Sequence, residues 1–495
     1  MRSLDCVLEA LQCYRAWRPA PEWGGGGVYG LLYHRGSLVM TLAFDAETIV
    51  ASSSCSIDRY DYSLVGSPPR SGGDTYNSVV AVDNTVYFGG WVHAPPDYRG
   101  GRLFFTNKYS HVHYYDMDNY EFGLLWSESI HDERLWAGEV TDLDYNPVTG
   151  DLLLARGDGH RNIGAYILTR GNGGWRAERL EAGTYLRLTL HDDKACYVED
   201  VRWSTRGFKV TCFTLEDYRR DGGVAVEPEP VDGLGRVRYP RVGDVQSLHR
   251  SLYVAAKGLL AVVDPNPEGG GEWRVLRLLD MGCAFYAPFR SNMLPYLGGL
   301  LAAYNASTMA TIVGTDEVPR DVQSASLRPP ADTLLVYITP SSIRIVARLG
   351  LRVTSMTSMG GDILVAANTL PNLERYDATR TDWSVKTLAV LPSTIVTNTR
   401  PPPVTITLHG SQVGAGPFGG IPLEGYREAR LLVKSSRQNK LTVVGYTPTG
   451  EVVDKESFGL NAGVNRIALD GYTPLLVSMK LEKHDPKALV VITMQ

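Results

Sequence analysis

The sequence predicts an all-β fold, and three observations carry that prediction. A turn followed by an apolar triplet recurs seven times, an outer hairpin pattern recurs between the copies, and composition changes near residue 400. The triplets are Leu38-Val39-Met40, Val86-Tyr87-Phe88, Leu152-Leu153-Leu154, Ala195-Cys196-Tyr197, Leu252-Tyr253-Val254, Leu300-Leu301-Ala302 and Ile363-Leu364-Val365. A strand-like run precedes each, as in SVVAVDNTVYFGGWV, so the unit reads as a β-hairpin whose turn residues supply the required geometry. The copies are about 54 residues apart on average, which accommodates one four-stranded blade plus loop insertions.

The second pattern is a strand ending in Asp, a turn, then Trp-x-x-x-x-Leu. It occurs at Val262–Leu278 and Arg375–Leu388, more loosely at Ile167–Leu180, and His113–Trp126 keeps the Asp and the Trp. This reads as the outer hairpin of each blade, with the Trp packed between neighbours. Four strands per unit and seven units specify a seven-bladed β-propeller over residues 29–400, since radial closure spares so much β structure from long free edges. Two or three unrelated β domains would also give short strands, but not seven matched hairpins.

The flanking segments read differently. In residues 1–28, Met1–Trp17 has helical apolar spacing, and its charged positions rule out a signal peptide. At the other end, STIVTNTRPPP (393–403) reads as a stiff linker. Seven of the 11 lysines lie at or beyond Lys386, and no Trp follows Trp383. From Val404 short alternating strands predict a small C-terminal antiparallel β-sandwich over 404–495, for which capping the propeller is the simplest role.

Composition narrows the function classes. A net charge of -5 over 495 residues argues against nucleic acid, and without an apolar run of about 18 residues the expectation is a cytoplasmic protein with no membrane span. The six cysteines lack a CxxC spacing and read as buried small hydrophobes. A Cys6–Cys13 bridge is disfavoured because i,i+7 on a helix separates the side chains by roughly 10 Å. GxSxG, HExxH and GxxxxGK[ST] are absent.

In a propeller, the loops joining second to third strands and those joining one blade to the next emerge on one face. Sequence position therefore places Trp91, His93, His131, Asp132, Arg134, Trp136, Glu139, Arg156, Asp158, His160, Asp200, Arg202 and Trp203 in one sector. Of these, Trp91, His93, His131, Arg134, Trp136, Arg156, Asp158, His160, Arg202 and Trp203 are the candidate ligand-binding residues, with Trp and Arg as anchors. His93, Asp158 and His160 are the candidate ligands of a divalent metal, the only cofactor the sequence suggests. Polar loops holding their own backbone through Asp and Asn turns are the plainer alternative. His111 and His113 share one side of a strand and read as a half-exposed face sooner than as a chelate. Asp116, Asp264 and Asp377 recur at one repeat position and read as turn caps. Arg219, Arg220, Arg236, Arg238 and Arg241 lie among acidic neighbours and read as a solvated insertion.

Arginine (38) far exceeds lysine (11), and glutamine is scarce. In length, repeated hairpins and this composition the chain resembles an uncharacterised propeller-like protein family of hyperthermophilic archaea, a likeness covering most of residues 28–400. The resemblance implies fold and source and transfers no catalytic residue. The expected function is non-enzymatic: a binding or scaffold protein whose propeller loop face recognises a protein or another ligand. The competing expectation is a metal-assisted hydrolase or lyase acting on a sugar or ester at the channel mouth.

Overall fold

The computed structural model describes residues 28–495 except 43–46, 63–71, 75–77, 94–96, 100–101, 105–107, 158, 201–206, 238–239, 267–270, 282–287, 289–290, 306–332, 369–385 and 415. The expected N-terminal helix, with Cys6 and Cys13, lies outside the described residues, as does Asp377.

Seven antiparallel sheets follow one another along the chain, within residues 28–61, 72–128, 139–181, 185–226, 242–277, 294–349 and 352–391. Each is built from the ring axis outward in near-consecutive strand order, and the seventh contributes three strands among the described residues. Inner strands of successive sheets lie against one another, and Val28–His34 of the first lies against Arg352–Met359 of the seventh, so the ring closes. Thr354 Oγ1 seals that closure by donating to the Val28 carbonyl at 2.5 Å.

All seven apolar triplets fall on the second strand of a sheet. The reason they are continuous rather than alternating is visible in the packing. Leu152 and Leu154 enter the core shared with the second sheet, while Leu153 enters the core shared with the fourth. Likewise Leu252 and Val254 face the fourth sheet and Tyr253 the sixth. A strand buried on both faces must be apolar at every position. The outer tryptophans Trp126, Trp175 and Trp273 border these inter-sheet cores, as the second repeat predicts. Asp116 and Asp264 cap turns, accepting the backbone N–H of Asp118 at 2.8 Å and of Asn266 at 2.9 Å.

Residues 404–494 form two further four-stranded sheets, with strand patterns such as buried–exposed alternation along Val404–His409. Their core is continuous with that of the fifth and sixth propeller sheets: Tyr253, Leu278 and Tyr304 belong to one cluster with Phe418, Tyr446 and Val477. The segment expected as a stiff spacer is instead held down. Arg344 donates to the carbonyls of Asn398 and Val396, around a single helical turn at Thr394–Thr397. At the joint, Asp280 and Gly419 exchange backbone hydrogen bonds of 2.8 and 2.7 Å. Gly420 sits there at φ +64°, and a Cβ would stand 2.1 Å from the Arg277 carbonyl oxygen, so only glycine fits.

Two expectations need correction. The Arg-rich stretch is only in part a solvated insertion. Arg220–Val226 is the outer strand of the fourth sheet, and beyond it Asp232, bonded to Arg277, and Val237, in the core between the fourth and fifth sheets, are buried. Arg241 is buried too, while Arg219, Arg220 and Arg236 are exposed. Cys196 and Cys212 are buried but not free: they are direct cross-strand partners with Cα atoms 4.1 Å apart, joined by a disulfide. Cys55 is disulfide-bonded as well. Strand register, which the spacing of the cysteines does not reveal, brings Cys196 to Cys212.

Candidate functional site

Residues 129–138 lead from the outer edge of the second sheet to the inner strand of the third. They are zipped to the loop after Leu152–Gly157: Gly138 N–H donates to the Arg161 carbonyl at 2.8 Å and His160 N–H to the Trp136 carbonyl at 3.0 Å. Asp132 holds the start of this loop by accepting the N–H groups of Leu135 and Arg134 at 2.8 and 2.7 Å, bonds that keep its carboxyl below the usual range.

The zipped loops assemble an aromatic group. Trp136 meets His160 edge-on, ring centres 4.0 Å apart, and Trp91 at 5.8 Å. Lys108 Nζ lies 5.8 Å over the Trp136 ring and donates to the Leu135 carbonyl at 2.5 Å. Burial lowers the Lys108 pKa, against Asp132 and Glu133, which raise it. Trp91 and Trp136 are half-buried, while His131, Arg134 and His160 are exposed. Sequence order thus brings Trp91, Trp136 and His160 together.

Arg156 plays another part than the expected contact. It is completely buried, donates from Nε to the Gly138 carbonyl at 3.2 Å, pairs with Glu128, and stacks between Trp126 and Tyr166 at 5.0 and 4.7 Å. It braces the loops from beneath. Asp158, Arg202 and Trp203 lie outside the described residues. His93 is described by its backbone alone, at the end of Thr85–His93 opposite Lys108. Among the described residues no three His, Cys, Asp or Glu side chains form a group able to hold a metal ion.

His111 and His113 depart from the expected half-exposed face: both are fully buried. His113 Nε2 lies 2.8 Å from Thr48 Oγ1, and its ring stacks on Phe88 at 4.8 Å. Burial drives the His111 pKa down to about 3 and that of His113 well below its ordinary value, so both rings are neutral. They are core side chains between the first and second sheets.

A second feature escaped the sequence reading. The ring axis holds a cavity of about 230 Å³. Five inner strands carry a bulge at an equivalent place, after Val28, Val140, Tyr185, Val242 and Val353. The bulge re-aims the residue that follows it, and three of those residues, Asp142, Arg187 and Asp244, line the cavity. Asn292 joins them from just before the sixth sheet, and two residues further along the same three inner strands lie Asp144, Thr189 and Gln246. The opposite wall is apolar: Leu31, Leu32, Val79, Val80, Leu294 and Met356.

The polar wall also fastens one sheet to the next. Asp142 Oδ2 accepts the Leu188 N–H at 3.0 Å, Asp244 Oδ2 the Met293 N–H at 2.5 Å, and Asn292 Oδ1 the Met356 N–H at 2.8 Å. Arg187 lies between the two aspartates in chain and ring order. Its Nε and Nη1 donate to the carbonyls of Gly243 and Thr141 at 2.7 and 2.9 Å, and Nε stands 3.7 Å from Asp244 Oδ1. Enclosure by protein raises the pKa of Asp142 and Asp244 against the lowering effect of Arg187. It raises Asp144 to about 6. One signal could have found this wall: Arg187, Asp244, Asn292 and Ser355 each lie nine residues before the middle of the next triplet.

Comparison with known proteins gives the following. A family described as "Uncharacterized protein conserved in archaea (DUF2139)" matches residues 38–376. No curated protein matches the chain. Among solved structures, a streptogramin B lyase aligns with a TM-score of 0.40 at 10% identity, covering 75% of this chain and 94% of that one. Virginiamycin B lyase from Staphylococcus aureus aligns at 0.41 and 11%, covering 74% and 96%. A chain of the mitotic checkpoint complex aligns at 0.40 and 9%, covering 71% and 86%. At such values these likenesses carry no argument about activity.

Proposed function

The chain belongs to the archaeal family of uncharacterised proteins just described, and from that premise we propose that it is a non-enzymatic binding or scaffold protein of the cytoplasm. Its propeller loop face, where the second sheet meets the third, would take a protein or another ligand. The observation that supports this reading is the group Trp136, Trp91 and His160: a half-buried aromatic platform, flanked by exposed His131 and Arg134 and braced from below by Arg156. Aromatic side chains packed in this way lose little entropy on contact, which is what a recognition anchor needs. The net charge of -5 argues against a nucleic-acid partner. No helix among the described residues is long and apolar enough to cross a membrane.

Cross-linking mass spectrometry in the native host tests the reading. Partners that cross-link near Trp136 in the parent chain are expected to be lost in Trp136→Ala and kept in Val453→Ser, on the exposed face of the sandwich. The competing reading, a metal-assisted hydrolase or lyase using His93, Asp158 and His160, predicts stoichiometric metal in protein purified without chelator. It also predicts loss of that metal in His160→Ala.

A further inference from the structure

We propose that the axial cavity is a binding site for a small organic cation, an ammonium head carried on an apolar body. The inference rests on the channel walls and on none of the loop residues. The cavity holds about 230 Å³ and is two-faced. Asp142, Asp144 and Asp244 bring three carboxyls to one side against a single guanidinium. That guanidinium donates to two backbone carbonyls and its Nε stands 3.7 Å from Asp244 Oδ1, so the polar side sets three carboxyls against one guanidinium. Excess charge of one sign within a protein calls for protons or for a counter-charge. Leu32, Val80 and Met356 form the opposite side, where a hydrated inorganic ion has nothing to contact and a short hydrocarbon is buried favourably.

A second grouping of the same residue types shows that the fold can close such a set when no space is wanted. Around Arg277, Asp232 is bonded at 2.8 Å and Asp280 is in direct contact, all three side chains buried. The channel set is spread over three sheets and left around an open volume. Ammonium N–H donors suit these carboxyls, which keep acceptor capacity beside the backbone N–H groups of Leu188, Tyr145 and Met293 that they already accept.

The test is isothermal titration of the full chain with n-hexylammonium chloride, n-hexanol and magnesium chloride, each alone. The expected result is saturable binding of the ammonium at one per chain, with hexanol at least about tenfold weaker and magnesium producing no saturable heat. Asp244→Asn should weaken the ammonium about tenfold. Val80→Phe fills the apolar side without touching the acids and should abolish binding while leaving the melting temperature near that of the parent. Trp136→Ala should bind as the parent does, which separates failure of this site from failure of the loop-face reading. Equal binding of hexanol and hexylammonium, saturable magnesium binding without ammonium binding, undiminished binding by Val80→Phe, or no binding by any probe would each overturn the proposal.

Discussion

Arg187 and Arg277 each sit between two aspartates, yet the two regions solve opposite problems. At the joint with the sandwich, Arg277 bonds Asp232 and Asp280 directly and also donates to the Gly235 carbonyl. Burial alone would lower its pKa, but Asp280 and Asp232 outweigh burial and raise it. The carbonyl of the same residue receives the Tyr446 hydroxyl at 2.7 Å. Every element there is committed to holding two bodies together. On the ring axis, Arg187 donates to two backbone carbonyls, its Nε stands 3.7 Å from Asp244, and the aspartates respond to enclosure by moving up toward neutrality. One set is a closed lock. The other keeps its chemistry facing a cavity.

The largest effect that tests this contrast is expected at the lock. Arg277→Met strands two buried carboxylates and should cost about 3–5 kcal/mol in urea unfolding at pH 7. A loss no greater than that of the matching channel variant would break the comparison. Arg187→Met should cost less, about 1–3 kcal/mol, because Asp142 and Asp244 can take up protons. For carboxyls whose folded pKa is raised, the stabilising contribution is whole below about pH 4 and fades as pH rises toward the folded value. The cost of Arg187→Met should therefore grow between pH 5 and 8, and a flat profile counts against the assignment.

The buried histidines set the acid side and must be separated from this. Their folded pKa values lie below the ordinary 6.5. The contribution of His111 is complete above about pH 6.5 and is lost as pH falls toward about 3, by up to ~1.4 kcal/mol per pH unit, and His113 acts in the same direction. His111→Leu should flatten that slope in acid-unfolding curves; an unchanged slope would mean the rings are not the acid-sensitive element. The smallest effect is expected at Asp144, whose carboxyl titrates near 6. Asp144→Asn should change stability by less than ~1 kcal/mol at pH 6 and be neutral or stabilising at pH 8, as read by the shift in unfolding midpoint.

Much of the ring was legible because its cause is local and repeated. Each triplet is apolar throughout since both faces of its strand are covered, and the outer Trp126, Trp175 and Trp273 border inter-sheet cores. The grouping of Trp91, Trp136 and His160 followed from the same counting of sheets. Arg156 was misread because loop position says where a residue begins and not which way its side chain turns, and here Glu128 and two aromatic faces draw it inward. Asp142, Arg187 and Asp244 were passed over because a polar residue on an inner strand looks like any other until bulges turn several of them toward one axis.

By itself, then, the order of residues determined that the chain is built of repeated β-hairpins and that each copy carries a strand apolar on both faces, since these depend on contacts among near neighbours in the chain. The tertiary structure alone decided the pairing of Cys196 with Cys212, the lock around Arg277 and the charged wall of the axial cavity. Those arise from strand register and from ring closure, which bring together groups tens of residues apart that no local pattern connects.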